Sequence, residues 1–154
     1  MKRLTMGILI IALLAAAFGA LAEQPSAEAA ARLVVPENAE LLHTGKDDGL
    51  MDFRFSTPEG IFWEVEVHPE TLTVWKVELE LSTSVPARAE GEMTEDEAKA
   101  LALSKVENGR IVAFEADHDD GRTEYEGELV ADGVKYEFTI DALTGLVIEW
   151  EHER

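Results

Sequence analysis

Residues 119–150, DDGRTEYEGELVADGVKYEFTIDALTGLVIEW, are a second version of residues 47–77, DDGLMDFRFSTPEGIFWEVEVHPETLTVWKV. Asp47-Asp48-Gly49 aligns with Asp119-Asp120-Gly121 at an offset of 72, and Phe53 aligns with Tyr125 at the same offset. One extra residue in the second version then moves the offset to 73, so that Trp63 meets Tyr136, Val65 meets Phe138, Val67 meets Ile140, Thr71 meets Thr144 and Val74 meets Val147. Self-similarity at a fixed period marks repeated structural units. The chain reads as two copies of one small unit, the first diverged.

The second copy sets out that unit. Thr94-Glu95-Asp96-Glu97 is a capping box, in which the Thr94 hydroxyl and the Glu97 carboxylate satisfy backbone N–H groups at a helix start. Ala98, Leu101, Ala102 and Val106 recur at helical spacing, and Asn108-Gly109 tolerates a left-handed cap, which predicts a helix from Glu95 to about Glu107. Arg110 to Ala116 reads as a strand and Asp117 to Gly121 as a turn. Three alternating strands follow, Glu124 to Val130, Val134 to Ile140 and Leu146 to Trp150, joined by the Asp132-Gly133 hairpin signal and by Asp141-Ala142-Leu143-Thr144-Gly145.

Because strand side chains alternate sides, Tyr125, Gly127, Leu129, Tyr136, Phe138, Ile140, Leu146, Ile148 and Trp150 are expected on one face. Glu124, Glu126, Glu128, Glu137, Glu149 and Glu151 then point the other way. In the first copy Trp63, Val65, Val67, Trp75, Val77 and Leu79 take the inward role, and Glu64, Glu66, Glu78 and Glu80 look outward. The helix of each copy should cover the apolar face. The first helix, Ala27 to about Leu33, is expected to be short because Pro36 interrupts it. The resulting fold class is α+β, a tandem repeat of one helix packed on an antiparallel β-sheet of about four strands. A unit of about 60 residues is marginal alone, so the copies should pack together or extend one sheet.

Lys2 and Arg3, the apolar run from Met6 to Phe18 and the small residues Ala20-Leu21-Ala22 have the form of a secretory signal peptide, cleaved after Ala22. The domain plan is therefore 1–22 signal peptide, 23–81 first copy, 82–92 linker containing Pro86 and Gly91, and 93–154 second copy. The expected location is secreted or extracytoplasmic, in the cell envelope. The chain has no cysteine, so no lipid-bearing cysteine and no disulfide framework is expected. The whole chain carries a formal charge of −19, and without the signal the 11 basic residues face 32 acidic ones. Such a balance repels nucleic acid and anionic membrane surfaces. With 46% apolar residues in regular alternation, a folded core is expected rather than disorder.

Residues that carry chemistry are few. His43, His68, His118 and His152 are read as lying in a strand end, two turns and the C-terminal tail, none at the i, i+4 spacing of a zinc site. Asp117-His118-Asp119-Asp120-Gly121 places glycine at position 5 where a calcium loop needs it at position 6. No Gly-x-Ser-x-Gly elbow or phosphate-cradling glycine loop occurs. Carboxylates on an open sheet face stay hydrated and ionised, unlike a general acid in a buried pocket. No catalytic, cofactor-binding or metal residue is assigned, no cofactor is expected, and the chain is read as not an enzyme.

Thr94-Glu95-Asp96-Glu97-Ala98, the strand near Ile111, Tyr125-Glu126-Gly127-Glu128, Tyr136-Glu137-Phe138 and Asp141-Ala142-Leu143-Thr144-Gly145-Leu146-Val147 together resemble the PepSY domain family. This family is named for propeptides of thermolysin-type secreted peptidases and for a spore-germination protein. The resemblance covers about Met93 to Glu151. In the first copy His68-Pro69-Glu70-Thr71-Leu72 stands where the family turn has its aspartate, alanine and Thr-Gly pair. The resemblance implies an α+β fold and a role in binding and restraining or regulating a secreted metallopeptidase or other envelope protein. No His-Glu-x-x-His occurs and the sequence ends at Arg154, so such restraint is expected to act in trans. An acidic extracytoplasmic cation-binding protein is the alternative, carried by charge alone.

Overall fold

The computed structural model describes residues 26–119 and 122–152. The expected signal segment, Asp120-Gly121 and the last two residues lie outside the described residues. The first half of the chain contributes α1 (Ala27–Arg32), β1 (Glu40–Asp47), β2 (Leu50–Ser56), β3 (Ile61–Val67) and β4 (Val74–Leu81). The second contributes α2 (Glu95–Leu103), β5 (Arg110–Asp119), β6 (Arg122–Ala131), β7 (Val134–Asp141) and β8 (Leu146–His152). All eight strands form one antiparallel sheet in the order β1-β2-β3-β4-β8-β7-β6-β5. Instead of two separate four-stranded sheets there is one continuous sheet, because β4 and β8, each the last strand of its half, pair with each other.

Local chemistry sets the helices. Ser26 caps α1 by accepting from the Ala29 N–H at 3.1 Å. Thr94 accepts from the Glu97 N–H at 3.3 Å while Glu97 accepts from the Thr94 N–H at 2.8 Å, the reciprocal capping box. These hydrogen bonds, the Thr94 backbone first and then Arg88, hold the Glu97 carboxyl down at about 2. α2 ends at Leu103, one turn short of the predicted Glu107. The Ser104 hydroxyl donates back to the Leu101 carbonyl at 2.6 Å, and the chain then turns until Asn108 adopts φ 55°.

The alternating pattern delivers two cores on one face. Phe53, Phe55, Trp63, Val65, Val67, Val77 and Leu79 pack with Ala31, Val34 and Val35 in the first half. Tyr125, Leu129, Phe138 and Ile140 pack with Ala98 and Ala102 in the second. α1 lies on β2 and β3, and α2 lies on β5 and β6. The helices therefore cover the flanks of the apolar face, not its centre, where Tyr136, Ile148 and Trp150 are half-buried.

Two inward assignments change because the strands are not regular throughout. Glu66 pairs with Lys76 but Val67 with Val74, so Trp75 is a bulged residue. Thr139 pairs with Glu149 but Ile140 with Val147, so Ile148 is bulged. A bulge inserts one residue and resets the alternation beyond it. Val74 rather than Trp75 joins the first core, Val147 rather than Leu146 joins the second, and Ile148 packs against the first. The expected turn at Asp117 is also displaced, since β5 runs on to Asp119 with Asp117 opposite Glu124 and His118 opposite Thr123.

The turns before β4 and β8 share one geometry built from different residues. Asp141 is fully buried and accepts from the Thr144 N–H and hydroxyl, both at 2.6 Å, and from Arg122 at 2.7 Å. At the corresponding place His68 Nδ1 accepts from the Glu70 and Thr71 N–H groups, both at 3.3 Å. The Gly145 N–H donates to the Asp141 carbonyl and the Leu72 N–H to the His68 carbonyl, each at 2.8 Å. Gly145 takes φ 71° there without strain, whereas Leu72 adopts φ 59°, a left-handed conformation that costs a non-glycine residue about 1–2 kcal/mol. Residues 82–93 contain no helix or strand. They are bound to the second turn through Arg88 N–H to Leu143 O at 2.9 Å and Met93 N–H to Ala142 O at 2.8 Å.

Leu129→Ala, which empties a fully buried site, is expected to cost about 2–5 kcal/mol. Gly127→Ala should cost about 1–3 kcal/mol, because a Cβ there meets the Phe138 ring and lies 2.9 Å from the Ala113 carbonyl oxygen. Glu126→Ala on the opposite face should change stability by under about 0.5 kcal/mol. Equal denaturant midpoints for Leu129→Ala and Glu126→Ala would contradict the face assignment. Asp141→Ala, which strands the Thr144 N–H and Arg122, should lose about 1–3 kcal/mol. His68→Ala should lose less, because its bonds are longer and more exposed; thermal unfolding that ranks the two in reverse would contradict the shared turn role.

Candidate functional site

Among the described residues no helix or strand covers the second face of the sheet, and its side chains stand in transverse rows set by the strand register. One row runs Asp52, Glu66, Lys76, Glu151, Glu137 and Glu128 across β2, β3, β4, β8, β7 and β6. The next runs Arg54, Glu64, Glu78, Glu149, Thr139 and Glu126, flanked by His43 on β1 and Glu115 on β5. Like charges directly opposite one another destabilise a strand pair. Lys76, at the centre, offsets part of that repulsion, lying 3.0 Å from Glu78 and 2.9 Å from Glu149. Burial opposes the Lys76 charge, but the hydrogen bonds to Glu149 and Glu78 outweigh it and raise its pKa. Arg54 pairs with Glu80 at 2.9 Å and lies over the Phe62 ring, and Lys135 pairs with Glu128 at 2.9 Å. Arg54, Phe62, Glu64, Glu78 and Glu80 border a shallow depression.

This face is broad, and carboxylates far outnumber cations on it. Among the described residues no three His, Asp or Glu side chains converge on a point that could hold a metal ion. Glu124 sits half-buried between Asp117 and Asp141 in the register, and its pKa is raised by burial first and by Asp141 second. The arrangement can attract and orient a cationic partner.

The histidines are dispersed, and three of them differ from their expected settings. His43 lies within β1 opposite Arg54, and His68 holds its turn together. His118 belongs to β5 rather than to a turn, with Nδ1 3.1 Å from the Thr123 hydroxyl. His152 is the last residue of β8 rather than part of a solvated tail. Its ring centroid is 4.2 Å from that of Trp75 and 5.9 Å from that of Tyr136, and the Tyr136 and Trp150 centroids are 5.4 Å apart. Sequence reasoning missed this group. The signal for it was the two-residue step from Trp150 to His152, which puts both on one face of a strand.

Among the described residues no helix is long and apolar enough to cross a membrane. Residues 92–151 match the family described as Peptidase propeptide and YPEB domain, PepSY. No curated protein sequence matches the chain. A protein described as a lipoprotein from Clostridium difficile 630 aligns at 19% identity and a TM-score of 0.35, over 76% of this chain and 84% of that one. The C-terminal domain of Bacillus megaterium YpeB aligns at 14% identity and a TM-score of 0.32, over 86% of this chain and 67% of that one. The family match spans α2 and β5 to β8 with the turn that Asp141 holds, and residues 92–151 are a PepSY domain.

Proposed function

We propose that the chain is an extracytoplasmic, non-catalytic PepSY protein that binds and restrains a secreted peptidase or another envelope protein through the uncovered acidic face of its sheet. The family match at residues 92–151 carries this reading, because the family is described by the propeptides of peptidases. In the same reading residues 1–22 are a signal peptide removed near Ala22, residues 23–81 are a diverged second copy of the PepSY unit, and residues 82–92 link it to residues 93–154. The bulged residues Trp75 and Ile148 support the duplication, as do the positive-φ pairs Gly60 with Gly133 and Leu72 with Gly145. All three pairs are 73 residues apart.

The partner surface that fits is basic. Rows of carboxylates raise the local concentration of a cationic partner and speed its docking, and they repel an acidic one. Relief of the Glu64, Glu78 and Glu149 repulsion on docking would add to the affinity.

Titration of the purified protein without its first 22 residues against metallopeptidases from its own secretome should give inhibition or a stable complex at about micromolar concentration. Binding should weaken as salt rises through the physiological range, where exposed charges are screened within about 8 Å. Glu64→Gln with Glu126→Gln, which leave the Lys76 pairs at the β4–β8 ladder intact, should weaken it further without unfolding the sheet. No complex at micromolar concentration would remove the restraint reading, and a complex insensitive to salt and to both substitutions would remove the acidic face as its site.

A further inference from the structure

The two halves meet along the shortest ladder in the sheet, three residue pairs between β4 and β8: Lys76 with Glu151, Val77 with Trp150 and Glu78 with Glu149. Every other adjacent pair of strands has at least six. The two cores are separate clusters, and neither helix bridges them. On the apolar face the end of this seam is closed by His152 of β8, tilted against the Trp75 ring of β4 and stacked on Tyr136 of β7. His152 hydrogen-bonds the Val74 backbone across the seam. Its Nε2 is buried and has no hydrogen-bond partner among the described residues.

We propose that the seam between the two halves is a pH-sensitive joint, loosened when His152 takes up a proton. A neutral imidazole can leave Nε2 unprotonated inside an aromatic setting. Protonation there makes a charged, buried N–H with no acceptor beside it among the described residues, which is costly. The groups packed around the ring are Trp75 and the Val74 backbone from β4 and Tyr136 from β7. Of these only Tyr136 titrates, and it is neutral at physiological pH with its pKa raised by burial. Glu151 is next to His152 in β8 but opposite Lys76 and Glu137 on the other face, and its field raises the histidine pKa only in part. Burial is the largest influence and lowers the pKa below its usual 6.5. The folded state thus favours neutral His152. Its contribution is complete above the unfolded pKa and is lost as pH falls through the lower folded value. Opening bares the edges of β4 and β8, which the closed sheet keeps paired.

Amide exchange of the whole protein, corrected for intrinsic rates, would be followed from about pH 7.5 to about pH 5, alongside thermal unfolding, for the native chain and for His152→Phe. Phenylalanine keeps a ring on Trp75 and cannot titrate. The expected result is a several-fold loss of protection at the β4 and β8 seam amides on acidification, with β2–β3 and β6–β7 amides little changed and the loss absent in His152→Phe. The melting temperature of the native chain should also fall relative to the variant over that range. If His152→Phe does not fold, His152→Gln supplies the same comparison. An identical pH response in native and variant chains would overturn the proposal, as would a loss spread evenly over all strands.

Discussion

Three residue pairs, Lys76 with Glu151, Val77 with Trp150 and Glu78 with Glu149, join β4 to β8. Without them each half is a four-stranded sheet with a short helix, about the size at which a single core is marginal. Each would also carry an unpaired edge with an apolar side chain next to it, Val77 in one half and Trp150 in the other. Pairing those edges satisfies the backbone of both strands and sets the two cores side by side. Among the described residues it also leaves only β1 and β5 as edge strands, and both are interrupted by bulges at the exposed residues Leu42 and Val112. Bulged edges are poor templates for pairing with another chain.

The same pairing concentrates charge. Glu64, Glu78 and Glu149 become direct neighbours only because β3, β4 and β8 are adjacent, and Lys76 is held between Glu78 and Glu149 at the join. In the proposed function this repulsion is what a cationic partner would relieve. The ion pairs on this surface are mostly exposed and each is worth little, so the apolar face holds the fold while the acidic face is free to serve recognition.

The turns before β4 and β8 show how one backbone geometry tolerates different chemistry. A buried carboxylate with an arginine partner holds one, and an imidazole nitrogen accepting two longer bonds holds the other. The left-handed position that follows is filled by glycine in one and by Leu72 in the other. What the two turns have in common is where backbone N–H groups need an acceptor. Side-chain identity is secondary to that need.

The amino-acid sequence by itself determined the elements and their faces. Period-two alternation of apolar and acidic residues identified the strands, Thr94 and Glu97 the start of α2, and the recurrence at 72 and 73 residues the matching of the halves. These signals are local, so they are legible without a fold. Tertiary structure decided what depends on contacts between distant residues. The union of β4 with β8 and the bulges at Trp75 and Ile148 are such contacts, because a one-residue insertion is visible only against a partner strand. The placing of the helices over the flanks and the enclosure of His152 between Trp75 and Tyr136 depend on them too. The acidic face was legible strand by strand, but its rows came from register, and register is fixed by hydrogen bonds between segments that lie far apart in the chain.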